Sequence, residues 1–96
     1  MFVMRVLAMN GRYYNEDEMR AEGFPTPRYI AEYDLDYAGG KGRARLTGDV
    51  ADALVFDSSV EVLEAWRAVS KSMPVRDDGK PNRPLTAYTI TPEEVA

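Results

Sequence analysis

Residues 29–37 alternate. Tyr29, Ala31, Tyr33, Leu35 and Tyr37 share one parity, and Glu32, Asp34 and Asp36 share the other. A strand sends successive side chains to opposite faces, so this segment predicts a strand with one buried and one wet face. The tyrosines are also four apart, which suits a helix. The charge at every second position decides for the strand.

The remaining punctuation builds a sheet around it. Residues 2–9 read as a largely buried strand with Phe2, Met4, Val6 and Ala8 on one face. Asn10-Gly11 is a tight-turn signal, because both residues tolerate positive φ. Arg12, Tyr13 and Tyr14 then begin a returning strand. In 15–23, Asn15 can cap, the acidic Glu16, Asp17 and Glu18 favour a helix start, and Gly23 can end the turn. One or two helical turns or an exposed loop are expected there, followed by an extended Pro25-Thr26-Pro27. Gly39-Gly40-Lys41-Gly42 reads as a flexible turn, and 43–47 as a short strand paired with the one before it. Asp49 is expected to cap a single turn through Ala53, ahead of a short strand at Leu54-Val55-Phe56.

The clearest helix is 59–72. Ser58 and Glu61 have the spacing of a capping box. Val62, Leu63, Trp66, Val69 and Met73 make an apolar stripe, Glu61, Glu64, Arg67 and Lys71 line the wet side, and Pro74 closes the element. Trp66 is expected at the centre of the core. A polar loop over 75–84 follows, then a closing strand over 85–91 and an acidic tail from Pro92. The expectation is therefore an α+β fold: a mostly antiparallel sheet of about four to five short strands, with one principal helix (59–72) packed on one face. At 96 residues, 1–96 is expected to be a single domain.

Composition restricts the chemistry. The chain has no cysteine and no histidine. Thiolate nucleophiles, cysteine metal sites and histidine-based triads are thereby excluded from it. No cofactor and no metal site is expected. The net charge of −4 disfavours a dedicated nucleic-acid binder. The apolar stretch 2–9 is broken by Arg5 and is too short to span a bilayer, so no membrane or targeting segment is expected.

Four constellations invite a functional reading. Arg76, Lys80, Asn82 and Arg83 in the loop, with Arg67 and Lys71 on the helix, could form a basic patch for an acidic partner. A turn stiffened by Pro81 and Pro84 explains the same residues structurally, and is favoured. The tyrosine row suits stacking or a binding hot spot. A sheet face covered by the helix is the simpler account. Asp34-x-Asp36 with Glu32 could hold Mg²⁺ or Ca²⁺, but no ligand-loop spacing supports it. Gly39-Gly40-Lys41-Gly42 joins two strands and lacks the spacing and Ser/Thr of a phosphate loop. Serines at the helix start are caps, since no histidine can activate one.

Three runs also carry a resemblance: Phe56-Asp57-Ser58, then Glu64-Ala65-Trp66-Arg67, then the stretch from Asp78-Gly79-Lys80-Pro81-Asn82-Arg83-Pro84 to Leu85-Thr86-Ala87-Tyr88-Thr89. The pattern resembles small uncharacterised proteins of actinobacterial phages and prophages, and extends over about the last two-thirds of the chain. The 14–24 stretch stands outside it, as an insertion would. The resemblance implies a phage-type accessory protein in the host cytoplasm. With the missing catalytic groups, it points to a non-enzymatic factor acting by protein–protein interaction. The alternatives are nucleic-acid binding through the basic loop, or a minor virion or assembly component.

Overall fold

The computed structural model describes residues 1–9, 12–13, 17, 21 and 27–95. The sheet is organised around β1 (Phe2–Met9). One edge of β1 is paired along its whole length with β6 (Tyr88–Glu94), from Phe2 opposite Glu94 to Met9 opposite Tyr88. The other edge is shared by three short partners. β5 (Val55–Phe56) pairs at Phe2 and Val3, β3 (Tyr29–Asp34) at Arg5, and β2 (Arg12–Tyr13) at Ala8 and Met9. β4 (Arg43–Thr47) extends the sheet beyond β3. Every pair is antiparallel, the sheet stays open, and one principal helix, α1 (Ser59–Trp66), packs on it. This is the expected α+β class.

β1 is apolar on both faces because both are covered. Met4 and Val6 join Ile30, Val62 and Leu85 in the main core beneath α1. Val3 points the other way, to a smaller cluster with Tyr29 and Ala53. Arg5 shares the face of Val3 and pairs with Glu93 of β6 at 2.8 Å.

Several expectations need correction. The tyrosine row does not lie on one face. Ile30 faces Leu46, but Glu32 already faces Arg45, so β3 carries one extra residue near Ala31. Such a bulge reverses the parity downstream. Tyr29 therefore packs on the smaller cluster, whereas Tyr33 and Leu35 pack on the main one. β3 also ends at Asp34, and Tyr37 is exposed, its ring under the Arg43 guanidinium at 4.9 Å.

The helix begins as expected. Ser58 Oγ accepts the Glu61 amide at 3.2 Å, and Glu61 Oε2 accepts the Asp57 amide at 3.1 Å, one residue before the usual reciprocal partner. It ends at Trp66, well short of Ser72. Arg67 donates to the Leu63 carbonyl with φ −91° and ψ 0°. Beyond it, the Ser70 amide leaves the helical ladder for the Asn82 carbonyl at 2.9 Å. Val69 and Met73 are consequently exposed and add nothing to the apolar stripe.

Trp66 is not the core centre. It is half-buried beside the core, and its Nε1 donates to the Tyr88 carbonyl at 2.9 Å. Met4, Ile30, Val62 and Leu85 occupy the centre. The closing strand also starts later. Pro84–Ala87 form a 3-10 turn, and β6 then runs through Pro92 to Glu94, so the expected acidic tail is part of the sheet. Proline is tolerated there because β6 needs donors on one edge only.

The glycine-rich stretch joins β3 to β4, as expected. Ala38 and Gly39 have left-handed backbone, and Asp49 caps the 3-10 turn Val50–Asp52 with its side chain on the Ala51 amide. The expected Asn10-Gly11 turn, the 15–23 helical turn (Asp17 and Ala21 apart, both helical) and the extended Pro25-Thr26 lie outside the described residues. Among the described residues, no helix is long and apolar enough to cross a membrane.

Candidate functional site

The segment between α1 and the 3-10 turn at Pro84 is fixed from below by two side chains. The first is Asp36. Its Oδ1 accepts the Ser70 hydroxyl at 2.8 Å, the Lys71 amide at 2.8 Å and the Ser72 amide at 2.9 Å. The second is Asn82. Its Nδ2 donates to the Gly40 carbonyl at 2.7 Å, and its own amide donates to the Pro74 carbonyl. Gly40, with φ +109°, lies against Met73, Ser70 and Asn82 so closely that a side chain there has no room.

The tip is a miniature hairpin. Val75 bridges Pro81, the Arg76 amide donates to the Lys80 carbonyl at 2.8 Å, and the Gly79 amide donates to the Arg76 carbonyl at 2.9 Å. Gly79 has φ +82°, the left-handed position that such a loop assigns to glycine. The Asp78 carboxylate clasps the Arg76 guanidinium and accepts the Lys80 amide. Every residue of 71–81 is exposed even though the backbone is this well bonded.

The six candidate residues thus fall into different roles. Asn82 is buried and structural, so its side chain is not available to a partner. Arg67 folds back on the helix terminus, its Nε donating to the Leu63 carbonyl at 3.3 Å. Arg76 is engaged by Asp78. Lys71, Lys80 and Arg83 are exposed and form no ion pair among the described residues. Residues 67–83 carry five basic and two acidic side chains, a net of +3, against −7 for the rest of a chain whose total is −4. The basic character is concentrated in this loop.

The other constellations are spent on structure. Glu32 and Asp52 flank Arg45 at 3.0 and 2.9 Å, Asp34 accepts the Asp36 amide, and Asp36 holds the loop. The hollow of about 450 Å³ over β3 and β4 is lined by Glu32, Asp34, Arg43 and Arg45, an alternation of sign that favours no single charge. Residue-level reading missed Asp36 and Gly40 as loop anchors. Their partners are far away in sequence, and nothing local announced them.

Hydrogen bonds from the Ser72 amide, the Ser70 hydroxyl and the Lys71 amide hold the Asp36 carboxyl below its ordinary value, against a smaller opposing effect of desolvation. Asp78 is lowered chiefly by Arg76, and Asp52 by Arg45. A carboxyl whose folded pKa is depressed contributes stability above its unfolded pKa, about 3.9 for Asp, and loses it as pH falls through the folded value. Asp36→Asn should therefore lower the urea midpoint at neutral pH and flatten its decline below about pH 4. Parallel midpoint-against-pH curves for the two proteins would exclude the carboxylate as the anchor.

No family model, no curated protein and no solved structure matches this chain.

Proposed function

We propose that this chain is a non-enzymatic interaction factor that docks a protein partner through the 67–83 loop. One observation carries the reading: a fully exposed stretch, 71–81, whose backbone is fixed by the Asp36 carboxylate and the buried Asn82 side chain. A pre-ordered loop loses less entropy on binding than a mobile one. It displays Val69, Met73 and Val75 to solvent alongside Lys71, Lys80 and Arg83, and an apolar centre with a charged rim is how protein interfaces are built. The likeness of the Pro81–Ala87 run to phage and prophage proteins supports a phage-type accessory role in a host cytoplasm.

The test is retention of a partner from an actinobacterial lysate on the tagged protein after nuclease treatment. Replacing Arg76, Lys80 and Arg83 together by Ala should abolish retention. The unfolding midpoint should barely move, since an exposed pair such as Arg76–Asp78 adds little to stability. Full retention by the triple variant would remove the loop from the interface. The concentration of +3 in this loop favours a second reading, nucleic-acid binding. That reading requires affinity to fall steeply with salt and the retained proteins to disappear with nuclease.

A further inference from the structure

The loop leans against the glycine-rich turn between β3 and β4, and the two enclose a cleft of about 310 Å³. Ala38, Gly39 and Gly40 line one side and Met73 lines the other, with Lys41, Arg76, Asp77 and Asn82 completing it. At Gly40 the walls touch, because a Cβ there would lie 2.5 Å from Met73 Cβ. At Gly39 they part, because a Cβ there would meet nothing within 4 Å. The result is a slot that closes at one end and opens at the other. Its size is at the lower end of the roughly 300–1,000 Å³ usual for ligand pockets, which suits a side chain better than a whole small molecule.

Charge identifies the occupant. Among the described residues Lys41 is exposed and has no ion pair, and Lys71, Lys80 and Arg83 on the adjoining loop share that state. The remainder of the chain is strongly acidic, so this is where a negative partner is attracted and not repelled. Among the described residues, no aromatic side chain lines the cleft to stack on a base. An apolar wall with a cationic surround fits a peptide.

We propose that the cleft receives one apolar side chain from an acidic, extended segment of the partner protein, whose flanking carboxylates pair with Lys41, Lys80 and Arg83. This rests on the interaction-factor reading and gives its partner a chemistry. Two variants separate the contributions. Lys41→Glu reverses a mouth charge at an exposed position. Gly39→Asn adds a side chain to the cleft lining in a residue type that tolerates left-handed backbone.

The experiment is selection of a random linear peptide library on the immobilised wild-type protein, then fluorescence anisotropy with one enriched synthetic peptide. The expected peptides carry Asp or Glu around a single large apolar residue, and each variant weakens their binding about tenfold or more. Thermal midpoints of the variants establish that both fold. Should Gly39→Asn fail to fold, Lys41→Glu carries the comparison alone. No enrichment, enrichment without acidic residues, wild-type affinity in both variants, or tighter binding of a labelled single-stranded oligonucleotide overturns the proposal. If nuclease-resistant retention of a lysate protein persists in both variants, the cleft assignment fails while the interaction reading stands. If wild type retains nothing, the interaction reading itself fails.

Discussion

Gly40→Ala should lower the unfolding free energy by about 2–5 kcal/mol, combining left-handed backbone strain of about 1–2 kcal/mol with about 1–3 kcal/mol of overpacking. The position has φ +109°, and its added methyl would lie 2.5 Å from Met73 Cβ and 3.2 Å from both Asn82 Nδ2 and Ser70 Oγ. Relief requires moving Met73 or Asn82. Moving Asn82 breaks its bond to the Gly40 carbonyl, which then has to find another donor. Gly39→Ala is the control: it carries the backbone strain, at φ +72°, but meets open space. It should cost only about 1–2 kcal/mol. Equal losses for the two variants in urea denaturation would show that the loop does not press on the turn.

Leu85→Ala and Ile30→Ala should each cost about 2–5 kcal/mol, the usual range for truncating a fully buried aliphatic side chain. Both are buried in the main core, Leu85 from the 3-10 turn that receives the loop and Ile30 from β3 just before its bulge. Trp66→Phe, in contrast, keeps an aromatic ring and removes chiefly the bond to the Tyr88 carbonyl, which is worth about 1 kcal/mol. The ranking in a common urea series is the measurement. A Trp66→Phe loss exceeding that of Leu85→Ala would return the tryptophan to the centre of the core.

Local signals in the sequence were read correctly where their physics is local. The Ser58 cap, the Asp49 cap, the pairing of 43–47 with the strand before it and the apolar β1 all depend on residues within a few positions of one another. The errors share a different origin. Helix α1 stops at Trp66, and beyond it the Ser70 amide is claimed by the Asn82 carbonyl and the Lys71 and Ser72 amides by the Asp36 carboxylate, 35 and 36 positions away. The tyrosine row splits because one extra residue in β3 reverses its parity, and periodicity counted along one strand cannot reveal its partner's register. Within the candidate site, Arg76, Lys80 and Arg83 were legible as exposed basic residues of a stiff loop. Asn82 stands out in the sequence as a loop residue, but its inward role depends on Gly40, which is 42 positions distant. Lys41 and Met73 join the site only because the glycine turn and the loop meet in space.

The pairing of β1 has a consequence for the order of events during synthesis. Among the described strands β1 is made first, and the partner that covers one whole edge of it, β6, is made last. The ion pair that ties them joins Arg5 to Glu93 across 88 positions. A chain still on the ribosome can form the Met9–Arg12 pairing and the β3–β4 hairpin, but it carries one edge of its most apolar strand open until β6 has emerged. Closing so long a loop is slow relative to local contacts. An open, apolar edge is also a template for pairing with other chains. Crowded nascent chains of this protein should therefore be its aggregation-prone form, and docking of β6 onto β1 is the step that ends the exposure.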